Sequence, residues 1–132
     1  MDLWLVRTQV NALESNPEKG APMTKYLKLM PDYHCWPLWW EGGKIGNVDP
    51  KTLPLRQDTL TRLDKWAALY DSQLNMADPL SSDFFAGSEL AAFEREGVEL
   101  WLQLREELSP EYEVWYFSQQ LERLVKHPKE LL

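Results

Sequence analysis

The chain has 132 residues and a mass of 15.5 kDa, enough for one domain around a single core. Its 44% hydrophobic and 27% charged residues mark a globular protein, neither disordered nor fibrous. The formal net charge is −7, and the longest apolar stretch, Cys35 to Trp40, is far short of the about 20 residues that a membrane helix needs.

Leu3, Val6, Val10 and Leu13 make a helical stripe with Asp2 as an N-cap, although Leu3-Trp4-Leu5-Val6 equally suits a strand. Asn16-Pro17 and Gly20-Ala21-Pro22 interrupt the pattern, so residues 1–22 read as an appendage and 23–132 as the domain. Residues 24–30 are predicted as a strand that Pro31 ends. From Asp32 to Leu55, prolines 37, 50 and 54 and glycines 42, 43 and 46 predict a long irregular loop carrying Trp36, Trp39 and Trp40.

Residues 56–75 are predicted as a helix whose apolar side is Leu60, Leu63, Trp66, Ala67, Tyr70 and Leu74. A turn-rich linker, 80–87, follows. Ser88 is expected to cap a second helix, 89–108, striped by Leu90, Phe93, Gly97, Leu100, Trp101, Leu104 and Leu108. Residues 112–118 are a strand by composition, and 119–127 suit a short helix or a final strand. The expected fold class is α+β: a small, mainly antiparallel sheet covered by two amphipathic helices, with the Trp/Pro-rich loop between. Most of the seven tryptophans are expected in the core, and Gly97 is expected to admit a close neighbour, a backbone or a Trp ring.

Charge is unevenly spread. Residues 1–66 carry nine basic and eight acidic side chains, whereas residues 67–132 carry five basic and thirteen acidic. An acidic half argues against a nucleic-acid partner, which requires a cationic surface, and suits a basic protein partner instead. Cys35 is the only cysteine, so no internal disulfide forms. Asp2 stands where a signal peptide needs basic residues, so the expected location is cytoplasmic.

Residues able to carry chemistry are few. Asp32-Tyr33-His34-Cys35 joins an acid, an imidazole and a thiol, but in an extended segment His34 and Cys35 point to opposite sides. Two histidines and no HExxH or CxxC spacing give no expected metal site or cofactor. Gly42-Gly43-Lys44-Ile45-Gly46 lacks the strand-to-helix context of a phosphate loop. Glu94 sits at the margin of an apolar stripe, where a carboxylate serves either as a general acid/base or as a tie to a nearby donor.

Several short motifs carry a family likeness from Lys25 onward. They are Asp32-Tyr33, Cys35, Pro37-Leu38-Trp39, Gly46-Asn47-Val48-Asp49-Pro50, Leu53-Pro54-Leu55, Trp66, Tyr70-Asp71, Leu74-Asn75, Asp78-Pro79, Ser81-Ser82, Phe93-Glu94, Glu96-Gly97 and Tyr112-Glu113-Val114. With these the chain resembles small acidic bacterial immunity proteins of contact-dependent growth inhibition and other polymorphic-toxin systems. The resemblance implies stoichiometric neutralisation of a cognate toxin, and it implies no catalytic residues. Two departures stand out: His34 where a small residue is expected, and Arg56 where a helix-capping Ser would be usual.

The leading expectation is therefore a cytoplasmic inhibitor of a basic toxin, a nuclease among the options. Its binding surface would combine the aromatic anchors Trp36, Trp39 and Trp40 with the carboxylates of Asp71, Asp83, Glu96 and Glu99. The alternative is a small enzyme using Asp32, His34 and Glu94 in one loop-covered pocket.

Overall fold

The computed structural model describes residues 24–73 and 87–132. Five strands form one sheet in the order β3-β2-β1-β4-β5. They are β1 (Lys25–Leu29), β2 (Leu38–Glu41), β3 (Asn47–Val48), β4 (Tyr112–Ser118) and β5 (Arg123–Val125). Only the central β1–β4 pair is parallel. Between β3 and β4 the described residues make a 3-10 turn at Pro50–Thr52 and two helices, α1 (Gln57–Asp71) and α2 (Gly87–Leu108). A second 3-10 turn, Pro128–Leu131, follows β5. This is the expected α+β architecture. Among the described residues no helix is long and apolar enough to cross a membrane.

The sheet's alternation separates its faces. Leu27, Leu29, Leu38, Val48, Val114, Tyr116, Ser118 and Val125 are buried on the inner face. Tyr26, Lys28, Trp39, Glu41, Trp115 and Phe117 are half-buried on the outer one. Outer-face residues stabilise one another: Lys28 pairs with Glu41 at 3.1 Å, and the Tyr26 and Trp115 rings are 5.3 Å apart. Inner-face residues share one core with Leu63 and Trp66 of α1 and Phe93, Leu100, Trp101, Leu104 and Leu108 of α2.

That core closes because α2 is notched. A Cβ on Gly97 would sit 2.5 Å from the Tyr116 hydroxyl oxygen and 2.7 Å from Cζ2 of Trp66. The missing methyl lets one turn of α2 meet both α1 and the sheet, the close ring approach expected from the sequence. Trp66 Nε1–H donates to the Phe93 carbonyl at 3.1 Å, and the Trp66 and Phe93 rings stack with centroids 4.6 Å apart. Trp101 Nε1–H donates to the Val114 carbonyl at 2.7 Å. Both indoles therefore bury their area with their polar atoms satisfied.

Helix α1 begins at Arg56 without a side-chain cap of its own. Glu107 of α2 compensates: it accepts from the Arg56 N–H at 2.9 Å and from the Thr59 hydroxyl, and its charge faces the positive helix end. Thr59 is thus buried on α1, and Leu60 is turned outward to half exposure. The expected apolar side of α1 is rotated accordingly. Leu74 lies outside the described residues, as do the stripe at residues 2–14, the 1–22 appendage and most of the 80–87 linker.

Four expectations need correction. Most tryptophans are not in the core: of the six described, Trp66 and Trp101 are fully buried, Trp39, Trp40 and Trp115 are half-buried on the sheet, and Trp36 is exposed. The Trp/Pro-rich segment is not one long loop, because its middle is the β2–β3 hairpin. Trp39 and Trp40 face opposite sides of β2, and Gly42 turns the chain at φ +73° over the Tyr26 ring. Prolines flanking so short a strand masked its alternation. Ser88 does not cap α2 from outside, since the helix already includes it. The open choice over 119–127 resolves as a strand: Ser118 and Glu122 at φ +56° turn the chain so that Val125 reaches the core beside Tyr116.

Two substitutions probe this framework. Helix propensity alone would make Gly97→Ala stabilising by about 1 kcal/mol. The structure requires the opposite sign, a loss of about 1–3 kcal/mol in denaturant unfolding, because Trp66 and Tyr116 cannot both keep their places. Burial opposes ionisation of Glu107, but donors from Thr59, Arg56 and Gln103 outweigh it and hold the carboxyl below its ordinary 4.5. A depressed folded pKa stabilises above the unfolded value and is lost as pH falls through the folded one. Glu107→Gln should therefore be less stable at neutral pH by about 1–2 kcal/mol, with the gap closing as the pH drops below 4.5.

Candidate functional site

The segment joining β1 to β2 is fastened from two sides. Asn47 of β3 accepts the Trp36 N–H at 3.0 Å and donates its amide to the Trp36 carbonyl at 2.8 Å and the Leu38 carbonyl at 2.9 Å. Asp71, at the end of α1, accepts the His34 N–H at 3.0 Å. Below them the Tyr33 ring lies 4.7 Å from that of Tyr70. The segment is not extended, so the opposite-side geometry that an extended Asp32–Cys35 would have does not apply: His34 turns it at φ +62°, a left-handed conformation in which His is enriched among non-glycine residues.

The outcome of this clamping is Trp36. The residue is 44% exposed and stands over the outer side of α1. Three neighbouring open depressions, about 310, 440 and 500 Å³, all have Trp36 in their walls. The first also touches Asp49, Lys51, Leu60 and Asp64, the second Cys35, Asp64, Lys65 and Asp71, the third His34, Asn47 and Asp71. Together they form a continuous shallow surface with an indole at its centre and carboxylates at its margin.

The other expected site residues divide around the molecule. Asp71 joins Trp36. Trp39 lies on the outer sheet face with Nε1–H on the Met30 carbonyl at 2.9 Å. Trp40 packs against the core, with Lys44 4.2 Å from its ring centroid. Glu96 accepts from Arg62 at 2.9 and 3.1 Å, and Glu99 lies 3.5 Å from the same guanidinium. Arg62 is about 160–180° round α1 from Asp64 and Asp71, so Glu96 and Glu99 belong to the opposite flank. Asp83 lies outside the described residues.

The three groups considered for catalysis have separate duties. Glu94 is buried and accepts from the Tyr116 hydroxyl at 3.1 Å, the Ser118 hydroxyl at 2.5 Å and the Gln120 N–H at 3.4 Å. Burial first, then the Glu94 charge, pushes the Tyr116 phenol far up, keeping it a donor. Asp32 accepts the neighbouring Tyr33 N–H at 2.8 Å, and His34 lies in the Trp36 surface. The Cys35 thiol is held above its ordinary value by burial, then by Asp32 and Asp71, which leaves it protonated and weakly nucleophilic. Among the described residues no group of His, Cys, Asp and Glu could hold a metal ion.

Residues missed by sequence reasoning are Asn47, which positions Trp36, and Asp49, Leu60 and Asp64, which flank it. Asn47 lay within a motif quoted for the family likeness, yet its three hydrogen bonds reach residues 9 and 11 positions earlier and have no local signature.

A family model described as Serratia CdiI immunity protein-like matches residues 25–119. No curated protein sequence matches the chain.

Asn47→Ala removes three hydrogen bonds and leaves the Trp36 and Leu38 carbonyls without that donor. A loss of about 1–3 kcal/mol is expected in denaturant unfolding, together with faster amide exchange at Trp36.

Proposed function

From the chain's membership of the Serratia CdiI immunity protein-like family, we propose that its toxin-binding face is the surface centred on Trp36. The protein is an immunity protein that binds and neutralises a cognate toxin. What supports this choice of face is the exposed, clamped indole of Trp36. An aromatic ring whose backbone is already fixed loses little further entropy on docking, the property of an interface anchor.

The margin adds charge. Asp49, Asp64 and Asp71 outnumber Lys51 and Lys65 around the indole, and Asp32 lies close enough to act on Cys35. Such a rim favours a basic partner and speeds its approach. A toxin that acts on nucleic acid would carry the matching cationic surface, so a nuclease is the partner class we favour. The setting would be the cytoplasm of a cell protected from contact-dependent growth inhibition. On this reading Glu96 and Glu99 steer the encounter from the far flank of α1, with Arg62 neutralising part of their charge. Trp39 and Trp40 hold the hairpin that carries Asn47.

The test is binding and rescue with the toxin encoded beside this chain's gene. Trp36→Ala should weaken the complex by about 2–4 kcal/mol, roughly 30- to 1000-fold, and abolish protection of toxin-expressing cells. Asp64→Asn should act mainly on the association rate, with a smaller dependence on salt. Glu96→Gln should change affinity less than either. Unchanged affinity in Trp36→Ala would contradict the assigned face, and failure of the wild-type protein to bind the neighbouring product would contradict that pairing.

A further inference from the structure

At the far end of α2 the charge pattern reverses. Only five basic residues occur in 67–132, and two of them, Arg105 and Lys126, line one cleft of about 310 Å³. His127, one of the chain's two histidines, lines it too, with the hydroxyl-bearing Thr24 and Ser109. We propose that this cleft binds a small oxyanion, a phosphate or carboxylate group.

Three observations carry the assignment, and none depends on the Trp36 face. The first is that, among the described residues, neither cation has a carboxylate partner. The ion pairs among the described residues use Lys25, Lys28, Lys51, Arg56, Arg62 and Arg123; of the cations they leave out, which include Lys44, Lys65, Arg95 and Lys129, Arg105 and Lys126 are the pair that line one cleft. In a chain with 21 acidic and 14 basic side chains, two unpaired cations in one cleft run against the surrounding charge.

The second is how the cations are held. The Arg105 guanidinium lies 5.9 Å from the centroid of the Trp101 ring, and the Lys126 ammonium 4.5 Å from that of Trp115. Contact with a ring face stabilises a cation without occupying its hydrogens, so the donors remain available to a ligand. A cation in the last turn suits the helix end, which accounts for Arg105 by itself. It does not account for Lys126 and His127, which follow directly on β5.

The third is the orientation of His127. Its Nδ1 accepts the Lys129 N–H at 3.1 Å, which places the proton of the neutral ring on Nε2. His127 is thus a donor whether neutral or charged. The cleft also contains Glu113, whose carboxylate accepts the Trp115 Nε1–H at 2.8 Å. Its charge offsets part of the cationic set, which leaves a net positive site of modest strength. An oxyanion is the group that guanidinium, ammonium, imidazole N–H and two hydroxyls can bind together.

The test is a titration of the intact chain by NMR, with inorganic phosphate and acetate as ligands and chloride at matched ionic strength as control. Saturable shifts with millimolar or tighter affinity are expected at the amides of Thr24, Ser109 and His127 and at the Trp115 indole. Arg105→Gln and Lys126→Gln, both at positions outside the buried core, should each weaken binding roughly tenfold with unchanged spectra elsewhere. Saturation by phosphate alone would make the ligand a phosphate group, and saturation by acetate as well would extend it to carboxylates. Shifts that follow chloride equally, or that persist in both variants, would overturn the site.

Discussion

One turn of α2, from Phe93 to Gly97, joins the two helices to the sheet. On one side the Trp66 indole stacks on Phe93 and donates to its carbonyl. On the other the Tyr116 hydroxyl lies over Gly97 and donates to Glu94. Neither approach is possible with a side chain at position 97. The position of α1 over the sheet follows from this contact, and with it the positions of Asp64 and Asp71. Asp71 in turn fastens the segment that presents Trp36. One of the two attachments that present the exposed indole is therefore set, through one helix and one hydrogen bond, by a missing methyl in the interior; Asn47 supplies the other.

The acidic surplus is less free than its count suggests. Glu94 is enclosed by hydroxyl donors, Glu107 completes the start of α1, Glu96 is held by Arg62, and Glu130 is held low by Arg123 first and then by the Lys126 N–H. These carboxylates maintain the fold as much as they charge the surface. What remains near Trp36 is a short arc of aspartates, enough to orient a basic partner while the apolar anchor provides the affinity.

Much of this was legible in the residues. Long amphipathic helices announce themselves by period, so α1, α2 and the strand 112–118 fall where the pattern predicts. Gly97 was conspicuous as a glycine inside a strong stripe. The β2–β3 hairpin was not legible, because a strand of four residues beside Pro37 and two glycines offers too short an alternation. The binding surface was half legible. Trp36 and Asp71 were named together, but three tryptophans close in sequence do not share a surface: Trp39 and Trp40 alternate across a strand. Asn47 was hidden for a different reason, since its role is a set of hydrogen bonds to residues 9 and 11 positions earlier.

Hydrogen–deuterium exchange of the chain, free and bound to its cognate toxin, tests the assigned face most directly. Slower exchange on binding is expected at residues 34–37 and 49–51 and along 60–71, with little change at 123–131. Protection confined to the outer sheet strands or to the β4–β5 end, with residues 34–37 unaltered, would contradict it.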